Sequence, residues 1–315
     1  MANFAKLTLV AVVGLCALGV ARGQDLAPRA YVVTPVGWNA LTFTYSYYSG
    51  GLEFDGAVPI TGAKANISVP TVTYYRALDF FGRSANIIVG LPYGVGTYMG
   101  TALGTEHHFY RSGLLDSFYR FSVNLKGGPA LPPSEFPKWH QKILIGTSLK
   151  IVAPTGQYDP TKLINWGNNR WAFKPEIGYS ERWGHWVVDG YAAAWFFTTN
   201  PEFFSDNQYY PGLQTQSESP VGAFEGHLSY DFKTRMWISL DGNFWFGGET
   251  SLNGVTNLKT NQRNSRVGVT ASVPISKRQS LKISYNDGAY INYGGNYQNL
   301  SLAWQYSWIG WPKWK

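Results

Sequence analysis

The sequence predicts an all-β protein: a transmembrane antiparallel up-and-down β-barrel of about twelve strands that follows a cleaved signal peptide. Three observations carry this. Segments of about ten residues alternate strictly between apolar and small polar side chains, so each presents two unlike faces to two different solvents. The connections between them alternate long and short, the sorting expected when turns fall on the inner side of an outer membrane and loops on the outer side. Finally, 17% of the residues are aromatic and only 14% charged, yet beyond the amino terminus no run of about 18 apolar residues could form a membrane helix.

Four regions follow from reading the ends. Lys6, the apolar run Leu7 to Val20 and the small residues Ala21 and Gly23 make residues 1–23 a signal peptide, with cleavage before Gln24. The single cysteine, Cys16, lies in that run after Leu15, where a lipoprotein signal requires a small residue, so the mature chain is expected to carry neither lipid nor thiol. Residues 24–37, punctuated by Pro28 and Pro35, read as an N-terminal lead-in. The barrel occupies 38–308 and a tail 309–315; either Trp308 serves as the terminal aromatic residue ahead of a short tail, or recognition by the insertion machinery is altered.

That last strand, 297–308, has the clearest pattern: Leu300, Leu302, Trp304, Tyr306 and Trp308 oppose Asn299, Ser301, Ala303, Gln305 and Ser307. Residues 39–48 set Leu41, Phe43, Tyr45 and Tyr47 against Thr42, Thr44 and Ser46. The segment 67–76 has a weaker register, with Pro70 near a loop, and 84–91 puts Ala85, Ile87, Val89 and Leu91 outward. Segments 116–125, 142–152 and 171–180 continue the alternation with outward Tyr119, Phe121, Ile143, Leu149, Phe173 and Ile177. The segment 185–197 is apolar on both faces apart from Asp189, leaving its register open. Segments 222–232, 236–246, 264–273 and 280–287 complete the set, with long loops expected at 50–66, 92–113, 153–170, 198–220, 247–263 and 288–296. The proline-rich stretch 126–140 is the one long connection on the short-turn side.

The ionisable residues of the strands keep to the polar parity: Asp116, Arg120, Lys150, Lys174, Glu176, Asp189, Glu225, His227, Asp231, Asp241, Arg266 and Lys282. An Arg or Lys facing lipid at mid-depth would cost about 2–4 kcal/mol, which accounts for the confinement. They are expected to line the lumen, either setting the selectivity of a pore or pairing to brace a nearly filled interior. The loop 153–170, with Tyr158, Asp159, Asn165, Asn168, Asn169 and Arg170, is the candidate constriction; the alternative is a structured surface loop. Phe203, Phe204, Tyr209 and Tyr210 serve either to stack on an aromatic solute or to sit at the membrane interface. Glu106-His107-His108 is a weak metal candidate, His140 and His185 read as interfacial, and no cofactor or catalytic residue is expected because nucleophile-elbow, zinc-protease and paired-cysteine motifs are lacking. The basic residues are scattered singly, which excludes the clustered footprint of a nucleic-acid binder.

Several motifs carry a family likeness: A-P-T-G-Q-Y-D at 153–159, N-W-G-N-N-R-W-A-F-K-P-E-I-G-Y-S at 165–180, N-S-R-V-G-V-T-A-S-V-P-I at 264–275, and the segment 280–297 ending Y-G-G-N-Y. From about Asp116 to Trp308 the chain resembles the outer-membrane family labelled for the MetA pathway of phenol degradation. The resemblance implies an outer-membrane barrel in a Gram-negative bacterium, near the uptake of aromatic compounds. The expected function is a channel for passive passage of small aromatic or hydrophobic compounds. Outer-membrane lipid, lipopolysaccharide and the barrel-insertion machinery are the expected partners. A closed structural or partner-binding barrel is the alternative, and a membrane-embedded hydrolase a distant third.

Overall fold

The structure, a computed structural model, describes residues 26–53, 60–102, 105–207 and 211–310. The expected signal peptide lies outside these residues, as do the tail from residue 311, Tyr209 and Tyr210. The wall is built from β1 (Trp38–Glu53), β2 (Ile60–Phe80), β3 (Arg83–Ala102), β4 (Thr105–Leu114), β5 (Phe118–Lys126), β6 (Ile143–Val152), β7 (Ala172–Trp183) and β8 (Trp186–Phe197). It continues through β10 (Val221–Lys233), β11 (Met236–Gly247), β14 (Gln262–Pro274), β15 (Gln279–Ile291) and β16 (Gly294–Ile309). Except at β4, which pairs only with β3, each strand of the wall pairs antiparallel with its neighbour, and β16 pairs with β1 without a break from Trp38↔Ile309 to Glu53↔Gly294. The sheet is thereby closed around its circumference, the condition for a sheet to survive in hydrocarbon, and only the extension at β4 leaves one side unpaired among the described residues. β4 and β5 share one position, β4 pairing with Tyr93–Ala102 of β3 and β5 with Ala85–Gly90, so the barrel has twelve strands around its circumference. Three short strands, β9 (Gln216–Glu218), β12 (Thr250–Leu252) and β13 (Val255–Asn257), form a separate sheet in the loops.

Parity is obeyed as the alternation requires. Leu300, Leu302 and Trp304 are 54, 46 and 38% exposed, while Ala303 and Ser307 on the opposite face are buried. The open register of 185–197 resolves with Asp189, Tyr191 and Trp195 inward: Asp189 pairs with inward His227 and Tyr191 with inward Glu225.

Three expected loops are corrected. Residues 50–66, 92–113 and 288–296 are largely strand, so the wall on the β15-β16-β1-β4 side rises well above the others. Beyond the bilayer both faces meet water, so the apolar-polar contrast fades while backbone pairing continues. Lys64 and Glu106 are examples of exposed polar residues there. Pro70 does not end β2. It leaves a gap in the β2–β3 ladder between Ser68↔Val95 and Thr71↔Pro92, since proline has no N–H to donate. Glu106, His107 and His108 lie on β4 rather than in a loop, and alternation separates His107 from the exposed Glu106–His108 pair (3.0 Å).

Closure is locked at the short-turn end by Asn39, 1% exposed. Its Nδ2 donates to the carbonyls of Gly37 (2.9 Å) and Gly310 (3.0 Å), and its Oδ1 accepts from Tyr74 Oη (2.7 Å) and Arg76 Nη1 (2.9 Å). Asn39→Ala leaves these groups unpaired at the junction of first and last strands and is expected to cost about 1–3 kcal/mol. The measurement is the temperature at which the folded band converts to the unfolded one in heat-modifiable gel mobility, which should fall.

Candidate functional site: the barrel lumen

The expected lead-in is a plug. From Gly37 the chain turns up into the lumen and crosses it to Leu26, which lies against Gly268 of β14. Val36 N donates to Leu131 O of the proline-rich connection at 2.8 Å, and Thr34 Oγ1 meets Tyr75 Oη at 2.6 Å. Tyr31 lies on a flat floor made by Gly146 of β6 and Gly178 of β7, which face each other across the ladder. A Cβ at either position would come within 2.2 or 2.1 Å of the Tyr31 ring. Its hydroxyl donates to Glu176 Oε1 at 2.8 Å. Arg29 sits over the Trp237 ring (4.6 Å) with its guanidinium 2.7 Å from Asp231, while its N–H donates to Asp189 at 3.2 Å. Inward-facing glycines inside strands were the sequence signal for this close approach.

Above and beside the plug, the inward charges of β5 to β11 form a paired network. Lys174 Nζ lies 2.9 Å from Glu225 and 3.0 Å from Glu176, which also takes Arg120 at 3.4 Å. His227 Nδ1 is 2.8 Å from Asp241 Oδ1, and Asp241 further accepts from Ser239 and Thr270, each at 2.6 Å. His227 Nε2 faces Glu225 at 3.7 Å. Asp231 takes Arg182 at 2.6 Å as well as Arg29. Lys150 lies 5.0 Å from the Phe118 ring and 5.6 Å from that of Trp195. Arg266 donates to Asn286 and to the Tyr297 carbonyl and stacks at 4.0 Å on the Tyr297 ring. A buried charge must be paired or it is costly, and this side of the lumen is filled accordingly.

The opposite side differs. Along β15, β16, β1 and β2 the inward residues Ser284, Ser301, Gln305, Thr42, Thr44, Thr71 and Thr73 are half-buried and Lys282 exposed, interspersed with the buried Ser46, Asn299 and Ala303. This wall therefore carries small polar side chains that keep partial solvent contact, without the charge pairs of the other side. The lumen is thus uneven: braced by paired charges on the β5–β11 side and lined by small polar residues on the β15–β2 side.

At the mouth the loop 153–170 folds inward. Trp166 lies over Gly94, Gly96 and Gly113 of β3 and β4, each close enough that a Cβ would strike its ring, and packs with Ile67, Val69, Tyr98 and Leu115. Asp116 is corrected from lumen lining to loop anchor. It sits in the break between β4 and β5, and its carboxylate accepts from Gly156 N, Asn168 N and Asn168 Nδ2 at 2.8–2.9 Å. Asn165 closes the loop on itself through Asp159 and Lys162. The Asp159 carboxyl is held down to about 2 by the Lys162 ammonium and by Thr161. Tyr158 and Asn169 bond into the 198–215 loop at Glu202 and Asn200, and Arg170 is paired, fully buried, with Glu218. Phe203 is buried in that loop layer and so faces neither solute nor lipid. Asp116→Ala removes three hydrogen bonds and should free the loop, read as faster cleavage of 153–170 by added protease in intact vesicles.

Residue type at the correct parity identified the charged network. Arg29, Tyr31, Trp166 and Trp195 were missed because nothing local marks a side chain as reaching into the lumen.

A twelve-stranded closed wall with a plug and an inward loop invites comparison with known proteins. The profile of the family described as "Putative MetA-pathway of phenol degradation" matches residues 50–288. The chain belongs to this family. No curated protein matches it. Among solved structures it is similar to the COG4313 outer membrane channel from Pseudomonas putida F1, with TM-score 0.72 and 15% identity over 90% of this chain and 100% of that one. The beta domain of the Bordetella autotransporter BrkA gives TM-score 0.51 and 11% identity over 86% of this chain and 100% of that one. These likenesses show the fold, which this family member shares with outer-membrane barrels.

Proposed function

We propose that this family member is an outer-membrane channel of a Gram-negative bacterium for passive passage of small aromatic or hydrophobic compounds. The observation that carries the reading is the inward polar strip from Lys282 through Thr44 to Thr73, whose side chains keep solvent contact inside the closed wall. Polar side chains that keep solvent contact inside the wall would keep such a passage hydrated. The phenol-degradation label of the family supports the aromatic class of solute. On this reading the wall meets outer-membrane lipid and lipopolysaccharide and is placed by the insertion machinery. The Ser239–Asp241–His227 contacts do not favour an enzyme, because Ser239 donates to the carboxylate and so forms no relay with the imidazole.

Purified protein in liposomes should admit phenol-sized solutes faster than empty liposomes and give discrete steps in planar bilayers. A second reading, a closed barrel that binds partners through its loops, is favoured by the lumen-filling plug; absence of both conductance and uptake would select it.

A further inference from the structure

We propose that small aromatic solutes reach the lumen sideways, from the membrane–water boundary, through a slot between β15 and β16 that the Arg266 side chain bridges; this rests on the proposed channel function. The two strands pair from Gln279↔Tyr306 only as far as Asn286↔Asn299, although β15 continues to Ile291 and β16 begins at Gly294. Beyond that point each strand stays with its other neighbour. Asp287 pairs with Val267 and Gly288 with Arg266 of β14, while Gln298 pairs with Ser49 and Tyr297 with Gly50 of β1. A bulge at Ala289 of β15 accompanies the parting, since an extra residue bends its strand and steepens its twist. Backbone groups freed in this way within a membrane wall need other partners.

Arg266 supplies one such partner from the far side of β15. Its Nη1 donates to Asn286 Oδ1 at 3.0 Å and to the Tyr297 carbonyl at 2.7 Å, and its guanidinium lies 4.0 Å from the centre of the Tyr297 ring. A carbonyl that a continuous ladder would pair with β15 is thus held by a side chain instead. Arg266 is buried, and its Nε and Nη2 have no partner among the described residues, so two hydrogen bonds and one ring contact hold the bridge. Releasing it strands no carboxylate, unlike the opening of a buried ion pair.

The level of the slot fits an amphipathic aromatic molecule. Just below it the outward residues are Tyr285 and Leu300, both exposed, at the top of the lipid-facing band; two positions further along each strand they are Asp287 and Gln298. The slot therefore opens where hydrocarbon gives way to water. A phenol-like molecule, apolar over its ring and wet at one edge, concentrates at that boundary for the reason tyrosine does. On its inner side the slot meets Asn286, Asn299 and Ser301 at the head of the polar strip. The Tyr297 ring, in edge-on contact with Tyr48 at 5.3 Å, offers an incoming ring a face to stack on once Arg266 swings away.

The test is uptake into liposomes of 4-hydroxybenzoate, whose charge slows unaided passage through the bilayer, beside glycine as a solute with no ring. The only native cysteine is Cys16, in the expected signal peptide. Asp287→Cys with Gln298→Cys places two outward thiols across the slot, where a short bifunctional thiol reagent can bridge them until a reductant releases it. Bridging should slow 4-hydroxybenzoate several-fold, leave glycine unchanged, and be undone by reduction. Ile283→Cys with Leu302→Cys, opposite each other in the intact ladder below, should show no effect of the same treatment. Arg266→Ala, which frees the slot without closing it, should instead admit 4-hydroxybenzoate several-fold faster than wild type. All variants are first shown to fold by heat-modifiable gel mobility; should the Asp287 and Gln298 pair fail, the Arg266→Ala rate decides. Uptake of 4-hydroxybenzoate untouched by bridging, equal slowing of glycine, or no gain in folded Arg266→Ala would overturn the lateral route and leave the channel standing. Wild type that admits neither solute would overturn both.

Discussion

Deleting residues 26–36 should raise single-channel conductance in planar bilayers several-fold. The segment fills the braced half of the lumen with the buried Tyr31 and Val33 and the half-buried Arg29, and their removal returns that cross-section to water. A twelve-stranded barrel is wide enough for the difference to register, since about eight strands are filled by side chains alone and 16–18 hold an open channel. A point substitution should act in the same direction without shortening the chain. Gly178→Val places a branched side chain where the Tyr31 ring lies, a position in which even a Cβ would be 2.1 Å from Cε2. The tyrosine must leave its floor, and the Glu176 bond goes with it. Unchanged conductance in both folded variants would mean that ions never use this half of the lumen and that the polar strip alone conducts.

Lys174→Met should be the most destabilising single change in the wall, by about 3–5 kcal/mol, the usual cost of removing one partner of a buried ion pair. Lys174 stands between Glu225 and Glu176, with all three side chains at most 6% exposed. Without the ammonium, two neighbouring carboxylates are left inside with only Arg120 and His227 nearby. Urea unfolding of the folded protein in lipid vesicles measures the loss. Adding Glu225→Gln to Lys174→Met should recover part of it, because the pair acts as a unit and its energies do not add. If the single variant unfolds at the wild-type urea concentration, the network is solvated and serves conduction rather than bracing.

Much of this molecule was legible in its order of residues. Alternation in 39–48 and 297–308 placed Tyr45 and Leu302 on lipid and Thr44 and Ser301 inside, and the same rule put the charges from Arg120 to Lys282 in the lumen. That rule works because two solvents of very different polarity act on a backbone of period two. It fails where the two solvents are the same. Thus 92–113 read as a loop although it pairs as β3 and β4, and 185–197 gave no register because its inward face carries Tyr191 and Trp195.

The sequence by itself determined a wall closed around its circumference and the sign of most faces, because burying unpaired backbone in hydrocarbon is too costly for any other arrangement of such segments. Only the tertiary structure decided what fills the interior. Tyr31 reaches Gly178 across 147 positions of chain, a separation at which no local pattern operates. Which charges pair, and which wall is left with small polar side chains, follows from that crossing.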